Sequence, residues 1–178
     1  IVDLEPYYNA DGITSDANPK DYIDFGGPFT YAAEFMPPPG PVKYLGITFA
    51  FPDGADGRRN VVRVKSQEIA VPEGNYAALA ALVASLNGDK KTEIVAVYAD
   101  GTREAVPLKV TDWCVAPKNK EFPVNISPHR HMPNGDLFDA NPQILLVELP
   151  LRRDKTLQRL VLPKEMDLYF FALTLLEE

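Results

Sequence analysis

The chain has 178 residues, 17 of them proline and 11 glycine, with 46% hydrophobic residues, 24% charged residues and a net charge of −7. The apolar share excludes wholesale disorder, and the length suits one domain, residues 1–178, with a real core. The acidic balance, with no basic stripe, argues against nucleic-acid binding, and no run of about 18 apolar residues is present to form a transmembrane helix.

Six acids and one base fall in the first 30 residues, so most of the negative charge sits there. Cys114 is the single cysteine, so no intrachain disulfide forms, which suits the cytosol without excluding secretion. No signal peptide is visible. The chain begins at Ile1 rather than Met, as expected of a processed chain or of a module from a longer protein.

Proline breaks helix interiors at about 3 kcal/mol. Seven prolines between 107 and 150 leave no room there for a long helix, and a helix bundle is excluded. In chain order, residues 1–30 read as irregular backbone with short extended pieces. Thr30–Met36 follows, then the stiff Pro37–Pro41 punctuation. Lys43–Phe51 predicts a strand ending in a turn at Pro52-Asp53-Gly54. Asn60–Val71 predicts another, with a bulge near Ser66 and Gln67. Tyr76–Asn87 is two-sided. Leu79, Leu82, Val83 and Leu86 have helical spacing and Asn87-Gly88 would stop a helix, so the local pattern favours a helix; the competing reading is a strand buried on both faces, its small alanines packed under a second sheet.

Glu93–Tyr98 and Thr102–Val110 flank Ala99-Asp100-Gly101, a strong hairpin signal. Residues 114–142 read as a long proline-rich loop holding both histidines. Ile144–Leu151, Leu157–Leu162 and Leu168–Leu176 then close the chain as strands, the last apolar enough for the centre of a sandwich. The expected fold is all-β: a two-sheet antiparallel β-sandwich of jelly-roll type, about nine to ten strands with long loops and little helix.

Three pieces of the first half, YYNADGIT (7–14), DYIDFGGPFTYAAEFMP (21–37) and FAFPDGADGRRNVVRVKSQEIAVP (49–72), resemble a β-sandwich module attached to secreted glycoside hydrolases. So do SLNGDKKTEIVAVYADGT (85–102), Asp112-Trp113 and the close DKTLQRLVLP … FALTLL. The resemblance spans nearly the whole chain. It implies a noncatalytic, galactose-binding-like jelly roll that is secreted and either binds carbohydrate or packs on an adjacent glycosidase domain. It also implies that 76–87 is a strand.

The sharpest local feature is His129-Arg130-His131. Histidines at i and i+2 of an extended segment project to one side, where they can share a metal, bracket a sugar or pin the loop by hydrogen bonds. A metal-dependent, cupin-like jelly-roll enzyme would use them with Asp136, although no third histidine exists. Trp113 is the only tryptophan. Its ring suits a pyranose face, Asp112 can accept from sugar hydroxyls, and Arg130 can donate to diol or carboxylate oxygens, although a single tryptophan at a strand end is more often core than ligand platform. Asp16, Asn18, Asp21 and Asp24 offer hard oxygens for calcium, against the reading of a solvated acidic loop. Cys114 with either histidine is a conceivable nucleophile, but no nucleophile elbow or phosphate loop is present.

Overall fold

A computed structural model describes residues 1–138 and 140–177. Its strands are β1 (Ile13–Thr14), β2 (Thr30–Ala32), β3 (Gly40–Tyr44), β4 (Ile47–Phe51), β5 (Val62–Arg63), β6 (Glu68–Gly74), β7 (Ala78–Ser85) and β8 (Lys90–Tyr98). They continue as β9 (Arg103–Val110), β10 (Glu121–Ile126), β11 (Arg130–Met132), β12 (Gly135–Leu137), β13 (Gln143–Pro150), β14 (Leu157–Val161) and β15 (Leu168–Leu176). Among the described residues the helical pieces are two short 3-10 turns, Glu5–Tyr7 and Ala33–Phe35. The all-β sandwich expectation holds, with more strands than the pattern resolves because several are only two or three residues long.

Two sheets make the sandwich. One has the order β10-β13-β7-β15-β5 and the other β6-β14-β8-β9. Between them lies a core that includes Leu79, Ala81 and Val83 of β7, Ile94 and Ala96 of β8, Val106 and Leu108 of β9, and Phe170 and Leu173 of β15. A second core covers the other face of the five-stranded sheet. It takes Ala80, Leu82 and Ala84 from β7 and Tyr169 and Phe171 from β15, and packs them under Phe25, Tyr31, Phe49, Phe51 and Trp113. The β3–β4 hairpin and a third sheet, β1-β2-β11-β12, carry part of that cover.

This double burial settles 76–87. A strand with two apolar faces is a continuous apolar run, so a helical spacing can be read from it by accident. Ala80 and Ala84 are small where the aromatic layer sits above them, which keeps that layer close-packed. Asn87 and Gly88, with φ of 56° and 105°, turn the chain after the strand rather than ending a helix.

Three expectations change. Lys43–Phe51 is a hairpin rather than one strand, because Leu45 and Gly46 both adopt positive φ and reverse the chain. Leu-Gly is a poor match to the usual Asn-Gly signal. Asn60–Val71 is not one bulged strand: at Ser66 the chain has φ 64° and crosses from β5 in one sheet to β6 in the other. The 114–142 segment is not simply a loop, since it supplies the edge strand β10 and the β11–β12 hairpin. Proline is placed by the missing N–H: Pro72, Pro107 and Pro123 lie on β6, β9 and β10, each at the edge of its sheet.

The N-terminal segment is tied to the sandwich through a buried carboxyl. Asn60 Nδ2 donates to Asp11 Oδ1 at 2.6 Å, and Asn60 Oδ1 accepts from Gly12 N at 2.9 Å. Asp11 Oδ2 has no partner, and burial pushes this carboxyl up to about 7. A proton is therefore bound more tightly in the folded chain than in the unfolded one. The stabilisation is fully present below the ordinary aspartate range and is lost as pH rises through about 7. At about 1.4 kcal/mol per tenfold change in proton affinity, the loss is on the order of 4 kcal/mol. Asp11→Asn is expected to remove most of this decline, read by urea unfolding at pH 4, 6 and 8; parallel slopes in the two proteins would exclude it.

Candidate functional site

The third sheet builds one polar face by simple alternation. In β1 and β2, Ile13 and Tyr31 point into the second core, which turns Thr14 and Thr30 the other way. Antiparallel pairing sets His131 opposite Thr30 and Asp136 opposite His131. His129 lies two residues before His131, and the two rings come within 5.5 Å. Arg130, between them, projects to the opposite side. Its guanidinium lies 4.0 Å over the Phe29 ring and 5.6 Å from that of Trp113.

A chain of hydroxyls positions His131. Thr14 Oγ1 and Thr30 Oγ1 lie 2.6 Å apart, and Thr14 Oγ1 shares a hydrogen bond with His131 Nδ1 at 3.1 Å. With Nδ1–H donating to Thr14, Nε2 carries the free lone pair. That Nε2 faces three carboxylates: Asp16 Oδ1 at 2.9 Å, Glu34 Oε2 at 3.6 Å and Asp136 Oδ1 at 3.9 Å. Glu34 and Asp136 lie beyond hydrogen-bond distance and Asp16 makes no hydrogen bond to it, so a nitrogen in a fully buried side chain is left unpartnered. His129 Nε2 lies 3.6 Å from Asp136 Oδ2, and both of its ring nitrogens are also buried without partners. Glu34 is steadied by Asp16 N, which donates to its Oε1 at 2.7 Å.

Asp16, His129, His131 and Asp136 thus offer one donor atom each, all within 4.8 Å of one another. First-row metal bonds of about 2.0–2.2 Å to N and O place neighbouring donors roughly 3.0–3.5 Å apart, so a modest side-chain rotation would close the set. Among the described residues, the ion pairs of Asp16, Glu34 and Asp136 run only to the histidines. Three carboxylates facing two imidazoles with no lysine or arginine among them is a charge arrangement that a divalent cation balances.

The residues singled out in the sequence divide over several places. His129 and His131 lie on one side as their i, i+2 spacing implies, and the β11–β12 pairing brings Asp136 to them. Trp113 is only 2% exposed and belongs to the second core, edge-on to Phe25 and Tyr31, so it offers no sugar platform. Asp112 caps a turn, accepting from Gly88 N at 2.7 Å and Cys114 N at 3.0 Å. Cys114 lies beside Arg130 on that same far side, and burial raises its thiol to about 11, which makes it a poor nucleophile.

The calcium set does not converge. Asp16 turns to His131, Asp21 accepts from Gly57 N, and Asp24 pairs with Arg63 and Lys65, while Asn18 N donates to Ser15. Glu34, Thr14 and Thr30 also line this polar face, and the sequence does not single them out. They lie about 100 residues or more from the histidines, and the β1–β2 and β2–β11 pairings bring them in.

The profile of the AziU2-like beta-sandwich domain family matches residues 1–178, and the chain belongs to that family. A comparison with curated proteins finds no match.

Proposed function

We propose that this β-sandwich domain binds a divalent transition-metal ion through His129, His131, Asp16 and Asp136, with Glu34 as a further donor within reach. The observation that carries it is the buried, unpartnered Nε2 of His131 facing three carboxylates. Two imidazoles favour zinc, iron, nickel or copper over calcium, which takes oxygen donors alone. Bound there, the ion would supply Lewis acidity at a site on the small third sheet.

The carbohydrate-binding role implied by the resemblance gains no support from Arg130 and Trp113, which face away from the histidines. Packing on a glycosidase domain rests on the resemblance alone. Calorimetric titration of metal-free protein with zinc, manganese and calcium tests the metal reading. One zinc per chain, bound at least tenfold more tightly than calcium, is expected; calcium preference or no uptake would refute it.

The hydroxyl chain gives a second measurable consequence. Thr14→Val keeps the shape but removes the partner of His131 Nδ1, and zinc affinity is expected to fall about 10–100-fold. Unchanged affinity in a folded variant would mean that the hydroxyl does not orient the ring.

A further inference from the structure

We infer that the ion at this site is open to an exogenous ligand: a small molecule with a chelating pair of oxygens and an aromatic body, seated against Phe35 and Phe138. This rests on the metal reading above. The donor set is asymmetric. The imidazoles are buried on the protein side, whereas the side chains of Asp16, Glu34 and Asp136 are 69%, 36% and 29% exposed. An ion held there has its histidine side against the sheet and its carboxylate side toward solvent. Four protein donors leave positions free on ions that accept five or six.

The rim of the site is aromatic and uncovered. Phe35 and Phe138 are 43% and 69% exposed. Their rings lie 5.3 Å and 4.8 Å from that of His129, one edge-on and the other tilted. Two phenyl rings, each packed on His129 and left partly in water beside a polar cluster, form an apolar rim that an aromatic ligand would cover. The oxygen pair is set by the ion and the aromatic body by the rim, so one molecule satisfies both.

The test uses the full chain loaded with cobalt(II), whose visible spectrum reports its ligands, titrated with benzohydroxamate, acetohydroxamate and a methyl glycoside. Both hydroxamates should perturb the spectrum, with benzohydroxamate binding about tenfold more tightly or better. That advantage should vanish in the Phe35→Ala/Phe138→Ala double variant, whose own cobalt spectrum stays unchanged. Equal affinity for the two hydroxamates, an advantage that survives the double variant, or a response to the glycoside alone would overturn the inference while leaving the metal reading intact. A cobalt spectrum no different from that of the aqueous ion before any ligand is added would overturn both.

Discussion

His131→Ala is expected to lower zinc affinity by at least 100-fold while the chain stays folded. His131 supplies the one donor that is fully buried, and it is the only donor whose second ring atom is held by the protein, through Thr14. Loss of a direct ligand exceeds the 10–100-fold typical of losing an outer partner. In the metal-free chain the change removes an imidazole with an unsatisfied nitrogen, so the stability loss should be about 1–2 kcal/mol.

Asp136→Asn is a milder companion that keeps the shape and removes the charge. Arg130→Lys is the control: it alters a neighbour in sequence that lies on the other side of the strand, and zinc binding should not change. Zinc affinity that survives His131→Ala, or that falls equally in Arg130→Lys, would refute the alternation that builds the site. Far-UV circular dichroism and urea unfolding separate loss of binding from loss of fold.

Tyr31→Ala is expected to destabilise the domain by about 3–5 kcal/mol and to weaken metal binding as well. Tyr31 is fully buried in β2, between the site and the sandwich. Its ring packs against Trp113 at 4.9 Å and Phe171 at 5.5 Å, and its hydroxyl donates to the Gln143 carbonyl at 2.7 Å. The same strand sets Thr30 against His131, so loosening Tyr31 moves a wall of the site.

Tyr31→Phe keeps the ring and removes only the hydroxyl, for about 1–2 kcal/mol, and should leave metal binding near that of the parent. Urea unfolding and zinc titration of both variants measure this. If Tyr31→Ala lost stability without losing affinity, the site would be independent of the second core.

The sandwich follows from local rules: the Asp100-Gly101 turn pairs β8 with β9 as its signal implies, and Leu168–Leu176 lies inside the five-stranded sheet. The common side of His129 and His131 also follows, because a two-residue period needs no tertiary information. Asp16 beside His131 does not follow, since those residues are 115 positions apart and the link is a parallel β1–β2 pair feeding an antiparallel β2–β11 pair.

Trp113 illustrates a different limit. A tryptophan at a strand end is more often core than ligand face, but only the residues above it decide, and here Phe25 and Tyr31 occupy that space. The Ser66 crossover is not legible because the break in phase between Val62/Val64 and Ile69/Val71 reads equally as a bulge within one strand or as a passage from one sheet to the other. Proline, by contrast, is informative at both levels. It excludes long helices from composition, and its positions in β6, β9 and β10 mark sheet edges once the strands are placed.

The most direct measurement is anomalous diffraction from crystals of the full chain soaked in zinc, with data on both sides of the zinc absorption edge. The expected result is one strong peak per chain among His129, His131, Asp16 and Asp136, with bonds to both imidazoles near 2.0–2.1 Å. Saturating zinc with no peak there, or with ions only on other surface carboxylates, would contradict the assignment of this sheet face as a metal centre.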